Sequence, residues 1–239
     1  MTLDPGVTVR VAPSTQAGVA GTVPSLPADL EADVESIWSA ERARRPVLFN
    51  GRVFSADTIT PSLITGHWTE YRCVLAQIRK PSLYARLKVR PLAVNGLVEC
   101  ADGLVLGRRH ADAVYLPGRW QAAPAGNVEA RAGDDVNLIE QVHVELREEL
   151  GLLPNMIDLT RPVAAIEHTD THVVDVGLLL RTPLSFAEIA RHRQQAGNDE
   201  YDLLQVVPTD ALGRFMRENA STLLPSAHIL IECWQRDRR

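Results

Sequence analysis

The sequence predicts an α/β layered domain built on a mixed sheet. Two observations carry the prediction. Apolar, β-branched runs alternate along the chain with segments of helical period, without a strict βαβ rhythm. The chain has 239 residues, 45% of them hydrophobic, enough for one ample core or for one domain with an appended subdomain.

The elements follow in order. Residues 1–25 are rich in Thr, Val, Ala, Gly, Ser and Pro with little charge, and read as a flexible, mostly irregular arm with room for one short extended piece. "PADLEADVESIWSAERARR" reads as a helix: Leu30, Val34, Ile37 and Trp38 recur at 3.6 spacing, acids come early and arginines late, and Pro46 closes it. Trp38 is expected to pack that helix onto the main domain. "VLFNGRVFSADTIT" reads as strand material, with Asn50-Gly51 as a candidate hairpin turn. "WTEYRCVLAQIRK" reads as a short helix. Pro91 marks a boundary, giving a division into 26–90, an amino-terminal α+β subdomain, and 91–239, the main domain.

Beyond Pro91, "LAVNGLVECADGLVLGRR" gives two strands joined by a turn whose glycine tolerates positive φ. "YLPGRWQAAPAGNVEARAGDD" is loop-rich, and a helix follows from about Asp135 to Leu150. "PVAAIEHTD" and "HVVDVGLLLRT" read as strands, "SFAEIARHRQQ" as a helix and "YDLLQVVP" as a strand. "TDALGRFMREN" reads as a helix with a Thr or Asp cap, and "SAHILIECWQR" as a terminal helix. No internal repeat is present.

Composition removes several classes. A net charge of −5 gives no basic surface for nucleic acid, so no nucleic-acid partner is expected. Cys73, Cys100 and Cys233 are far apart and form no CxxC pair, which argues against a zinc site or a disulfide framework and for a reduced, cytoplasmic setting. The first residues lack an apolar signal core, and no apolar run approaches the ~20 residues of a membrane span. A soluble protein is expected.

The stretch "DVNLIEQVHVELREELG" carries the chemistry. On a helix, Leu138, Val142, Leu146 and Leu150 form a core-facing stripe, widened by Ile139. Glu145, Glu148 and Glu149, at i, i+3 and i+4, converge on a second face, one turn after Gln141. Gly151 is placed to end the helix in the left-handed conformation. Three carboxylates at that spacing are either a solvated face or a site for a hard divalent cation. Mg²⁺ takes oxygen ligands and shares them with substrate phosphates.

At these residues the chain resembles the Nudix hydrolase family. "ELREELGL" is similar to the closing half of the Nudix box, which ends R-E-U-x-E-E-x-G-U with U a bulky aliphatic. Glu145, Glu148, Glu149, Gly151 and Leu152 stand at its E, EE, G and U positions. "PAGNVE" resembles the entry to the box, with Gly126 as its opening glycine. "GLVLGRR" resembles the strand before it, and "DEYDLLQVVPTDAL" the strand and helix start after it. Two departures stand out. Val144 takes the place of the arginine and Val136 that of the earlier glutamate, while the loop "EARAGDDVN" holds an insertion of about four residues, with Asp134 or Asp135 as an alternative cap. A narrower resemblance joins "SIWSAERARRPVLFNGRVFS", "YRCVLA" and "LLPSAHILIECWQ" to a branch that cleaves UDP-glucose and carries an amino-terminal subdomain.

The resemblance implies an α/β/α sandwich and Mg²⁺-dependent hydrolysis of the pyrophosphate bond of a nucleoside diphosphate linked to another moiety, with Mn²⁺ as a substitute. UDP-glucose, giving UMP and glucose 1-phosphate, is the favoured case. It implies Glu145, Glu148, Glu149 and the carbonyl at Gly126 as metal ligands, and Glu145 or the later Glu200 as base. The alternative is a Nudix-fold module that binds a nucleotide without cleaving it. Arg108 and Arg109 follow a strand and either reach phosphate oxygens or form a solvated turn. Trp120 either stacks on a base or sugar or packs on the core. His168 and His172 are expected at the surface. Many members of the family pair up, so a homodimer is allowed, and the amino-terminal subdomain could serve pairing or cover the pocket.

Overall fold

The two most apolar runs, "LAVNGLVEC" and "VDVGLLLR", become neighbouring central strands buried on both faces. A strand covered on both sides has no reason to alternate apolar with polar. The computed structural model describes residues 6–22, 25–131 and 133–238. Residues 1–5 and 23–24 of the arm, Ala132 of the insertion loop and Arg239 lie outside the described residues.

From the amino terminus come β1 (Thr8–Arg10), β2 (Gln16–Val19), α1 (Ala28–Arg44), β3 (Arg52–Ile59), β4 (Leu63–Glu70), α2 (Tyr71–Arg79) and the single turn α3 (Tyr84–Leu87). Then follow β5 (Leu92–Cys100), β6 (Gly103–Arg109), β7 (Trp120–Ala122), β8 (Ala125–Asn127), α4 (Leu138–Leu150), β9 (Leu159–Glu167) and β10 (Val174–Arg181). The chain ends with α5 (Phe186–Ala196), β11 (Tyr201–Val207), α6 (Leu212–Glu218) and α7 (Pro225–Asp237).

The large sheet runs β1-β9-β10-β5-β6-β11, with β7 on β6 and β8 on β5. β10 and β5 pair in parallel and the other neighbours antiparallel, so the sheet is mixed. Side chains alternate across it. Val174, Val176, Leu178 and Leu180 of β10 join Val142 and Leu146 of α4 in one core, while Leu179 faces the other. That second core holds Leu230, Ile231 and Trp234 of α7. Helices thus cover both faces, and the architecture is an α/β/α sandwich. A second, three-stranded sheet runs β2-β4-β3 and carries α1 and α2.

Several local expectations are corrected. The described part of the amino-terminal stretch holds two short extended pieces where the sequence suggests one: β1 pairs with β9 and β2 with β4. Strands of three and four residues leave too little pattern to read. Asn50-Gly51 is not a hairpin turn. The turn between β3 and β4 lies at residues 60–62, where the Leu63 N–H donates to the Thr60 hydroxyl at 3.0 Å, while the Asn50 side chain accepts from the Arg72 N–H at 2.9 Å. "WTEYRCVLAQIRK" is divided between β4 and α2, and the loop-rich stretch contains β7 and β8. Ile139 is 41% exposed, because one stripe already fills the space under α4. Asn137, and not Asp134 or Asp135, caps α4, accepting from the N–H groups of Ile139 and Glu140 at 3.1 Å each. α6 has no side-chain cap.

Candidate functional site

A cleft of about 840 Å³ lies between the end of α1 and α2 on one side and β5, β8 and α4 on the other. Its acidic wall comes from α4 and from the backbone of β8. Gly126 pairs with Val94 of β5, and a Cβ there would overlap the Glu145 carboxylate. The missing side chain is what lets Glu145 lie against the strand.

Each carboxylate has a defined place. Glu149 is 3% exposed. Its Oε2 accepts from the Tyr201 hydroxyl at 2.6 Å and from the Ala125 N–H at 3.0 Å. The Tyr201 hydroxyl in turn accepts from Gln121 at 3.2 Å. Glu145 Oε1 accepts from Gln141 Nε2 at 2.6 Å, and Gln141 Oε1 accepts from the Glu129 N–H and from Arg131, each at 3.3 Å. Glu200 lines the same cleft and pairs with Arg109 at 3.2 Å.

The charges are crowded. Burial pushes the Glu145 carboxyl up to about 7; the bond from Gln141 opposes this, and Glu148 and Glu129 add to it. Glu149 is held well above the usual carboxylate range by burial, against the Tyr201 bond and with help from Glu145 and Glu200. Glu129 is raised by burial as well. Desolvation and mutual repulsion both disfavour the charged forms, and the wall contains too little positive charge to offset them.

The predicted residues are distributed unevenly. Glu145, Glu149, Gly126, Glu200 and Arg109 line the cleft. Glu148 does not. Its side chain is 56% exposed, with Arg147 at 4.0 Å, although its charge still acts on Glu145 and Glu129. Of the three carboxylates expected to converge, Glu145 and Glu149 line the cleft and Glu148, at i+3 from Glu145, stands outside its lining. Arg108 lies outside the cleft, 6.0 Å from the Trp120 ring. Trp120 belongs to the second core, edge-on to Phe215 at 5.5 Å, and so does not contact the cleft. Trp38 stands edge-on to Tyr71 at 6.3 Å and packs α1 onto α2.

The histidines are not at the surface. His168 is buried, 2.7 Å from Asp175, and the Tyr115 hydroxyl sits 3.1 Å from that of Thr171 beside it. His172 stacks on Tyr84 with ring centroids 3.3 Å apart and contacts Glu167 at 3.0 Å.

Glu129 and Tyr71 complete the lining without having been singled out in the sequence. Glu129 was legible, since it closes "PAGNVE". Tyr71 was not, because only the tertiary fold brings α2 to the cleft.

Among the described residues no group of three or more His, Cys, Asp or Glu side chains is arranged to hold a metal ion. The donor chemistry nevertheless fits Mg²⁺. Glu129, Glu145 and Glu149 present hard oxygen atoms in one acidic wall with uncompensated charge, and Mg²⁺ needs only one or two carboxylates when waters and phosphates supply the rest.

No family model matches the chain, and no curated protein matches it. Among solved structures, a protein from Deinococcus radiodurans is similar at 15% identity and TM-score 0.47, covering 77% of this chain and 99% of that one. A NUDIX hydrolase from Nitrosomonas europaea is similar at 15% identity and TM-score 0.42, covering 62% of this chain and 90% of that one. A bifunctional NMN adenylyltransferase/ADP ribose pyrophosphatase from Francisella tularensis, complexed with AMP and a manganese ion, is similar at 13% identity and TM-score 0.45, covering 68% of this chain and 46% of that one. At such identities and scores, the chemistry rests on the side chains of the cleft.

Proposed function

We propose that the chain is a Mg²⁺-dependent hydrolase of the Nudix type, cleaving the pyrophosphate bond of a nucleoside diphosphate derivative. The favoured substrate is a nucleotide sugar such as UDP-glucose, giving UMP and glucose 1-phosphate. The single observation that carries the reading is the charge-crowded wall of Glu129, Glu145 and Glu149 in a cleft of ligand size. Carboxylates buried together at this cost indicate a site that works with a cation and an anionic ligand in place.

Glu145 and Glu149 would hold the ion, with Glu129 and the Gly126 carbonyl as further oxygen donors and Glu148 within reach at the edge. The bound ion supplies positive charge against the anhydride oxygens and makes a nearby water more acidic. The chain's own residues position the reactants. Gln141 fixes Glu145 through one oxygen, and the other is free of hydrogen bonds from the described residues. Glu200 is engaged by Arg109, so Glu145 is the base we favour. It takes the proton of the attacking water, a new P–O bond forms, and the bridging P–O bond breaks to release two monophosphates. Three unpaired cysteines suit a reducing, cytoplasmic setting for this activity. No helix among the described residues is long and apolar enough to cross a membrane.

The test is a panel of nucleoside diphosphate sugars, dinucleotides, coenzyme A and triphosphates, with Mg²⁺ or Mn²⁺, scored by product identity. UMP plus glucose 1-phosphate from UDP-glucose is expected, with turnover lost on omitting the metal or in Glu149→Gln. Absence of phosphate-ester products from every compound refutes hydrolysis. One observation favours a binding module instead: Glu149 is already engaged by Tyr201 and Ala125 while Glu148 faces solvent. That reading predicts a thermal shift with UDP-glucose and no turnover.

A further inference from the structure

The acidic wall of the cleft leaves open what meets the phosphates on the other side. Three arginines line the cavity near its mouth: Arg44, Arg45 and Arg109. Two are engaged. Arg44 reaches Glu41 at 3.4 Å and points largely to solvent, and Arg109 is held by Glu200, the Tyr115 carbonyl and Gln121. Arg45 forms no side-chain hydrogen bond or ion pair among the described residues, yet it is half-buried.

Its placement follows from local sequence. Arg45 is the last residue of α1's capping turn, with its N–H donating to the Glu41 carbonyl at 2.9 Å, and Pro46 follows. A residue before proline is driven out of the helical region. Arg45 adopts φ −138° and ψ 80°, and it lines the cleft instead of continuing the helix surface. Tyr71, the first residue of α2, also lines the cleft, and its hydroxyl makes no hydrogen bond with the described residues. The charges acting on that phenol are the guanidinium groups of Arg79, Arg109 and Arg45 and the carboxylate of Glu129, so it stands between the basic and the acidic sides. The Arg45 charge is felt by Glu41, but that carboxylate is paired with Arg79 at 3.0 Å and Arg44 at 3.4 Å. A half-buried guanidinium with no ion pair of its own, next to an unpaired phenol, suits an external anionic ligand.

We propose that Arg45, with the Tyr71 hydroxyl beside it, is the phosphate-binding group of this cleft. The amino-terminal segment would thereby complete a site whose other wall belongs to the large sheet. The inference rests on reading the cleft as a diphosphate site, and it assigns the anion contact to the side facing the carboxylates. Two phosphoryl groups would then be gripped from both walls, with Val74 and Ile78 of α2 offering an apolar surface to the attached moiety.

The test is equilibrium binding of inorganic pyrophosphate by calorimetry, in Mg²⁺ and in EDTA. The parent is compared with Arg45→Ala, Arg45→Lys and Arg42→Ala, the last an exposed arginine of α1 outside the cleft. Arg45→Ala should weaken binding at least about tenfold, as expected for a charge-assisted contact. Arg45→Lys should restore part of it, and Arg42→Ala should match the parent. Unchanged melting temperatures in the Arg45 variants keep the readout one of ligand contact. Equal affinity in the parent and Arg45→Ala overturns the proposal, as does failure of the parent to bind pyrophosphate in either buffer. Pyrophosphate binding that depends on Arg45 in a protein that hydrolyses nothing would refute the hydrolase alone. Hydrolysis with a KM indifferent to Arg45→Ala would refute this assignment alone.

Discussion

At the scale of single residues, the cleft joins polar groups that are paired to others that are not. The clearest is the pair His168 and Asp175, 2.7 Å apart and both buried. Burial by itself favours the neutral imidazole, but the Asp175 carboxylate outweighs it, with Asp170 assisting, and His168 is raised above its ordinary 6.5. Asp175 suffers desolvation too, yet the charge of His168 and its hydrogen bond at 2.7 Å lower it below its ordinary 3.8. A raised histidine contributes stability that is complete below 6.5 and fades as pH climbs through its folded value. A lowered aspartate contributes stability that is complete above 3.8 and fades as pH drops through its folded value. The pair therefore stabilises most between those limits. Asp175→Asn should cost about 3–5 kcal/mol there, the usual cost of breaking a buried pair. Melting temperatures of parent and variant from about pH 5 to 9 should converge as the imidazole loses its proton. A gap constant across that range would mean His168 is neutral throughout.

At the scale of elements, α4 shows what sequence can and cannot disclose. Its stripe of Leu138, Val142, Leu146 and Leu150 was legible because burial repeats with the helical period, and Gly151 because its φ of 66° suits glycine. The orientation of the acidic face was legible only in part. Periodicity puts Glu145, Glu148 and Glu149 on one arc, but where the cleft edge cuts that arc depends on β8, which is set by pairing with β5. Trp120 stays open between ligand and core in the sequence, and His168 is misplaced at the surface, for a related reason: residue type alone does not tell a ligand-facing or exposed ring from a packed one. Tyr201 escaped notice because its partners Glu149 and Gln121 lie far away in sequence, and Arg45 because only the tertiary fold brings the end of α1 to the cleft. The cap is a matter of neighbouring dihedrals. Asn137, with φ −127° and ψ 103°, satisfies two N–H groups that Asp135 cannot reach. Asn137→Ala should destabilise by about 1 kcal/mol in urea denaturation. Asp135→Ala should stay within about 0.5 kcal/mol of the parent, as expected of an exposed side chain. The reverse order of the two effects would restore the aspartate as the cap.

At the scale of the whole molecule, the boundary at residue 90 marks a change of sheet but not a break in the core. Phe54, Ala56, Ile64 and Trp68 of the small sheet belong to the same buried cluster as Val142 and Leu146 of α4. Main-chain bonds cross the seam: the Phe54 N–H donates to the Val128 carbonyl at 2.8 Å and the Ala130 N–H to the Arg52 carbonyl at 3.0 Å, and Ser55 bridges to Pro91. The first described residues tie the two sheets further, since β1 joins one and β2 the other. Elements that share a core and a hydrogen-bond seam lose both together on unfolding, so a single cooperative transition is expected. The tryptophans report on both sides, with Trp38 and Trp68 in the amino-terminal region and Trp120 and Trp234 under the large sheet. Urea midpoints from tryptophan fluorescence and from far-ultraviolet circular dichroism should coincide. Phe54→Ala, a truncation in the small sheet, should move both midpoints down together by the equivalent of about 3–5 kcal/mol. An amino-terminal region that melts first, leaving the large sheet at its original midpoint, would show instead that residues 26–90 form an independent domain. The cleft between the amino-terminal helices and the large sheet would then be a hinge and not a fixed site.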